Sequence, residues 1–164
     1  MRNDLNTPLD TETPFDTPAL TPEQDLAARL EIHTTLKTLG LPHLVEPVGS
    51  AQLPNYPAKD VDYLVLVSFR NFTPLEKHLL ENRYIHCGDY DPNTSGPNWL
   101  AMRKGPANII FTCDPDFYYK FLAATQVIYY LNLTNKVDRI GVCNIIRDGM
   151  SAQMAKEVAK ELTL

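Results

Sequence analysis

No apolar run in the 164-residue sequence approaches the roughly 18 residues of a membrane-spanning helix. Its first twenty residues, MRNDLNTPLDTETPFDTPAL, lack the apolar stretch of a secretory signal. Both absences predict a cytoplasmic protein with no membrane partner. Positive charge is also scarce: fifteen Lys and Arg stand against twenty Asp and Glu, a formal charge of −5 that disfavours bulk coating of DNA or RNA. Cys87, Cys113 and Cys143 are the only cysteines, 26 and 30 residues apart. They lack the CxxC pairing of a structural zinc site and the even count of a secreted disulfide scaffold, and so read as buried thiols.

What is there is a core: 44% of the residues are apolar or aromatic, suited to one domain. Residues 1–20 stand apart, rich in Thr and Pro, with Arg2 against Asp4, Asp10, Glu12 and Asp16. They read as a disordered acidic tail, and residues 21–164 as a single, nearly neutral domain. Thr21-Pro22-Glu23-Gln24 joins a hydroxyl N-cap, an early Pro and a capping-box Gln. Leu26, Leu30, Leu36 and Leu39 predict that helix's apolar face, and Gly40 its stop. His43 to Gly49 reads as a strand in which Pro47 needs a sheet position where no backbone N–H donor is required. Asp60 to Val67, DVDYLVLV, is the strongest strand, buried on both faces toward its C-terminal end.

Thr73-Pro74-Leu75-Glu76 repeats the capping signature and predicts a helix to about Asn82. An extended stretch from Tyr84 to Cys87 and a polar loop over 88–97 follow. Asn98 to Lys104 and Ala107 to Thr112 form a hairpin about Gly105-Pro106. Asp114-Pro115 opens a helix to about Leu131, with two more helices over 135–147 and 151–162, the last amphipathic through Met154, Val158 and Leu162. Trp99, Tyr118, Tyr119, Tyr129 and Tyr130 read as packing residues of this core. The pattern predicts an α/β (α+β) fold: a small mixed sheet of four or five strands with helices packed on one face.

Chemistry concentrates around the strongest strand. Residues i and i+2 of a strand point the same way, so the Asp60 and Asp62 carboxylates converge on a rigid element. Two hard oxygen ligands there suit Mg²⁺ or Mn²⁺, with the remaining positions filled by water and substrate phosphate. Ten residues earlier, Gly49-Ser50 offers a close backbone approach and a hydroxyl to phosphate oxygens. Without a ligand, the same aspartates would serve as edge charges and Gly-Ser as a turn. His86 and Cys87 are adjacent, face opposite sides of a strand, and form no dyad.

Helix, strand, GS, spacer, DVDYLVLV, helix, hairpin and helical tail together resemble the minimal nucleotidyltransferase domain of the DNA polymerase β superfamily over roughly residues 24 to 148. The stretch WLAMRKGPANIIFTCDPDFYYKFLAATQVIYYLNLTNKVDRIGV is similar to the small members carried by tailed bacteriophages. The resemblance implies that Gly49 and Ser50 contact a nucleoside triphosphate and that Asp60 and Asp62 bind Mg²⁺ or Mn²⁺. It implies transfer of a nucleoside monophosphate to a hydroxyl on RNA or protein, in the host cytoplasm if phage-encoded. The third carboxylate of that superfamily falls at Asn108, on the strand Ala107 to Thr112, and an amide takes no proton. The spacer AQLPNYPAK departs too, because Pro54 and Pro57 oppose a regular helix and leave Lys59 its only cation. Phosphate neutralisation then falls to the metal with Lys59, Arg103 or Lys104. Asp114, as a helix N-cap, does not replace the missing acid. An alternative follows: a degenerate nucleotidyltransferase fold that binds or inhibits a host macromolecule.

Overall fold

The computed structural model describes residues 17–87 and 99–161. Chain order is α1 (Pro22–Leu39), β1 (His43–Val48), a single 3-10 turn (Ser50–Gln52), β2 (Val61–Val67), α2 (Phe69–Glu81), β3 (Ile85–Cys87), β4 (Trp99–Lys104), β5 (Ala107–Thr112), α3 (Pro115–Tyr130), α4 (Lys136–Gly149) and α5 (Ala152–Glu161). The five strands form one mixed sheet in the order β1-β2-β5-β4-β3. Only the β2–β5 pair is parallel, and it occupies the centre. This is the α/β fold that the pattern of elements predicts. Among the described residues no helix is long and apolar enough to cross a membrane.

Helices cover both faces of the sheet, not one. Val61, Tyr63, Val65 and Val67 of β2 join Leu100, Met102, Ile109 and Phe111 in a core with Ile32 and Leu36 of α1 and Leu75 and Leu79 of α2. On the other face, Val48, Leu64, Ala101 and Ile110 pack with α3, α4 and α5. The reason lies in the central strands: all six residues of β5 are buried, and a strand apolar on both sides must be covered on both.

The capping box at Thr21 forms as the sequence requires, with Gln24 N donating to Thr21 Oγ1 and Thr21 N to Gln24 Oε1. Gly40 ends α1 at φ 70°, in the left-handed region. The buried face of α1 differs from the leucine reading. Ala28, Ile32, Thr35 and Leu36 are buried, while Leu26 and Leu30 are 58% and 57% exposed on the nearly opposite side. Polar contacts fix that rotation: His33 Nε2 lies 3.1 Å from the Tyr63 hydroxyl, and Glu31 accepts from Lys104 Nζ at 2.8 Å.

Helix α2 begins at Phe69 with Ser68 as its N-cap residue, one turn before the Thr73 signature, and Pro74 lies inside it. The Phe72 ring sits 5.0 Å from Phe111, so the sheet holds the first turn and outweighs the amide that Pro74 lacks. In α5 the buried residues are Ala155 and Ala159, whereas Met154 is exposed. Small side chains let α5 approach the Ala123–Ala124 surface of α3 closely, which excludes a longer side chain from the seam. Leu162, the 88–97 loop and residues 1–16 of the predicted tail lie outside the described residues. Leu20 donates its amide to Ala58 O at 2.8 Å and packs on the α1–α2 core.

Pro47 falls on β1, an edge strand paired only with β2, where a missing amide costs no ladder bond to a further neighbour. Gly105, at φ 57°, turns the two-residue connection between β4 and β5, with Lys104 paired to Ala107.

Candidate functional site

The sheet alternation that builds two cores also collects a polar cluster on the α3-side face, at the N-terminal ends of the parallel strands. Asp62 pairs across the ladder with Val48 on β1 and with Asn108 on β5, and Asn108 pairs in turn with Arg103 on β4. Asp60 precedes β2 by one residue and shares this face. Asp60, Asp62 and Asn108 are 5%, 2% and 0% exposed.

Each of these three groups has a partner. Asn108 Nδ2 donates to Asp62 Oδ1 at 2.6 Å, while Asn108 Oδ1 accepts from Cys87 Sγ at 3.7 Å. Arg103 Nη2 donates to Asp60 Oδ2 at 3.3 Å. Burial, followed by the charge of Asp60, holds the Asp62 carboxyl well above the usual carboxylate range, against the opposing pull of the Asn108 bond and Arg103. Two acids this close and this dry form a proton- or cation-seeking pair.

Gly49 closes the cluster from above. Its φ of 79° with ψ of −172° is a backbone conformation that only glycine adopts readily, and a Cβ built there falls on Asp62 Oδ2. The turn and the aspartate, thirteen positions apart in sequence, are therefore in direct contact. Ser50 follows at the start of the 3-10 turn, half-buried.

Lys59 lies on the loop just before Asp60. It borders a groove of about 550 Å³ together with Arg83, Arg103, Lys104 and the Gly105-Pro106 hairpin tip. Lys104 pairs with Glu31, on the opposite face from the aspartates. Asp114 is the N-cap of α3, its side chain accepting from Asp116 N at 2.9 Å, which leaves Asn108 without an acidic substitute from that loop. His86 turns away to Glu76, at 2.7 Å, while its neighbour Cys87 faces the cluster. Trp99 stacks on Phe117 with centroids 5.7 Å apart, a packing contact. All three cysteines are free thiols; Cys87 and Cys143 are buried, and Cys113 is intermediate.

No family model matches the chain, and no curated protein matches it. Among solved structures, it is similar to the conserved protein GrpB from Enterococcus faecalis, with a TM-score of 0.54 and 19% identity over 88% of this chain and 94% of that one. The chain shares the fold of that protein. At this identity the likeness concerns architecture alone, and the chemistry rests on the residues.

Arg139 of α4 and Thr125 of α3 also reach the Gly49 turn, and neither stands out in the motif. A signal for Arg139 exists in the sequence: it shares helical spacing with Cys143 and Ile146, both buried, which places a guanidinium on an apolar face. Cys87 had a similar signal, a thiol alternating with an exposed His on a short strand.

Proposed function

We propose that this chain binds a nucleoside triphosphate with one divalent cation at Gly49–Ser50 and Asp60–Asp62. In this reading it transfers a nucleoside monophosphate to a hydroxyl of an RNA or protein acceptor and releases pyrophosphate. The observation that carries the proposal is the contact of Gly49 with Asp62, which makes one site of a phosphate-type turn and a pair of hard ligands.

The donor set fits Mg²⁺ or Mn²⁺. Two carboxylates on one strand are enough for a cation that keeps several waters and takes the rest of its shell from phosphate. Among the described residues no group of three or more His, Cys, Asp or Glu could hold a metal by itself, so substrate and water would complete the shell. The unfavourable proximity of Asp60 and Asp62 is relieved when positive charge lies between them. When bound, the cation neutralises phosphate charge and lowers the pKa of an attacking hydroxyl.

The chain's own residues divide the remaining work. Gly49 admits phosphate close to the backbone, and Ser50 supplies a hydroxyl beside it. Arg103 orients Asp60 through its ion pair. Asn108 orients Asp62 through its amide but accepts no proton, and a positioned general base is worth about 10² to 10⁴ in rate. Turnover is accordingly slow. That same amide supports the second reading, a binding or inhibitor protein for a host macromolecule that keeps the nucleotide site without efficient transfer. The phage kinship rests on the sequence resemblance.

Incubation of the full chain with Mn²⁺ and radiolabelled nucleoside triphosphates tests the transfer reading. Label should enter RNA or protein, and Asp60→Ala with Asp62→Ala should abolish it. Label that survives the double substitution removes the site from the reaction. Nucleotide binding without label leaves the binding reading in its place.

A further inference from the structure

Against Gly49 lies a second polar cluster that the proposed transfer does not use. Arg139 is 7% exposed. Its Nη1 donates to Thr134 O at 2.7 Å and its Nη2 to the Tyr56 hydroxyl at 3.5 Å, with the guanidinium 5.1 Å from the Tyr56 ring centroid. None of these partners is an anion, and among the described residues no carboxylate forms an ion pair with it. A guanidinium cannot shed its proton, so this charge is buried without a counter-charge.

Two further groups point to what is missing. Thr125 Oγ1, on a residue 5% exposed, and Gln52 Nε2 are buried with no hydrogen-bond partner among the described residues. Gly49, Gln52, Thr125, Tyr129 and Arg139 all border one cavity of about 10 Å³, room for a single oxygen-sized group. The available groups are donors: a guanidinium, an amide NH₂ and a hydroxyl. Water in the cavity would satisfy the hydrogen bonds but leave the charge uncompensated. An anionic oxygen does both.

We infer that this cavity is an anion subsite that seats one oxygen of a polyphosphate chain, with Arg139 as its charge partner and Thr125 and Gln52 as its donors. The assignment rests on the proposed nucleotide site in one respect: Gly49 borders both the Asp62 carboxylate and this cavity, so one phosphate chain lying along the turn meets both. It supplies the phosphate cation that the proline-interrupted spacer does not, and it draws that cation from α4 rather than from Lys59.

Calorimetric titration of the full chain with inorganic tripolyphosphate, once in EDTA and once with Mn²⁺, tests this separately from catalysis. The wild type should bind in both. Arg139→Gln should weaken tripolyphosphate by about 30-fold or more, and Thr125→Val by about three- to tenfold. Mn²⁺ binding measured alone should stay unchanged in both. Arg139→Lys, which keeps the charge, should recover part of the affinity. If Arg139→Gln does not fold, Thr125→Val, nearly isosteric, decides. Wild-type affinity in a folded Arg139→Gln or in Thr125→Val overturns the subsite. So does a wild type that binds Mn²⁺ but no tripolyphosphate, an outcome that leaves the metal pair standing. Tripolyphosphate binding that depends on Arg139 in a chain that takes no Mn²⁺ supports the subsite and removes the metal reading instead.

Discussion

On the face of β2 that meets α1 and α2, Val61, Tyr63, Val65 and Val67 make an unbroken apolar row. The opposite face of the same strand begins with Asp60 and Asp62 and becomes apolar only at Leu64. Both faces are equally dry, so the contrast is not one of exposure. The first face gains stability from every side chain it buries. The second holds Asp62 in a place where burial and the neighbouring Asp60 oppose its charge. A fold needs the first kind of surface, whereas the second is retained at a cost to stability, the pattern expected of a site.

Substitutions on the two faces should therefore behave differently, and the largest effect belongs to the apolar side. Phe111→Ala removes a fully buried ring that contacts Phe72 and should cost about 3–5 kcal/mol in urea unfolding. A small loss there would mean that the α1–α2 face is not the stabilising one. Next comes Gly49→Ala, expected to cost about 2–4 kcal/mol because it combines a positive φ with a Cβ on Asp62. Neutral behaviour at Gly49 would break the contact on which the site is built.

Asn108→Asp sharpens the comparison within the polar face. It adds a third buried acid beside Asp62 and should lower stability by about 1–3 kcal/mol at neutral pH without metal. Mn²⁺ should return most of that loss in a thermal melt and raise transfer activity. A variant indifferent to Mn²⁺ would sever Asn108 from any metal chemistry.

The subtlest effect is in the pH profile. The folded-state Asp62 pKa lies above its unfolded value, so the folded chain holds the proton more tightly. Its stabilising contribution is complete below the unfolded carboxylate pKa, about 3.9, and is lost as pH rises through the folded value. Relative to Asp62→Asn, the wild type should thus lose stability between acidic and neutral pH. Parallel profiles would show that Asp62 is ionised at no cost.

Much of this architecture is legible in the residues themselves. Thr21, Gly40, the Gly105-Pro106 turn and the Asp114 cap each act locally, and local chemistry determines them. The apolar density of β2 likewise announces a central strand. Tertiary contacts decided the rest. Leu26 and Leu30 look like a core face until His33 and Glu31 fix the rotation of α1. Pro74 looks like a helix start until Phe72 is seen against Phe111. Helices on both faces follow from β5, whose short, wholly buried run gives no period that separates its two sides.

The site divides in the same way. Asp60 and Asp62 share a face by strand alternation alone, and Asn108 lies opposite Asp62 as the parallel pairing requires. Arg139 and Thr125 come from helices far along the chain, and only packing brings them to Gly49. Lys59, adjacent to Asp60 in sequence, lines a different groove.

The most direct test is Mn²⁺ binding to the full chain followed by electron paramagnetic resonance, with and without a non-hydrolysable nucleoside triphosphate. The account predicts one saturable Mn²⁺ per chain, tightened by the nucleotide and lost in Asp60→Asn and Asp62→Asn. No saturable Mn²⁺, or binding unchanged by those substitutions, would contradict it.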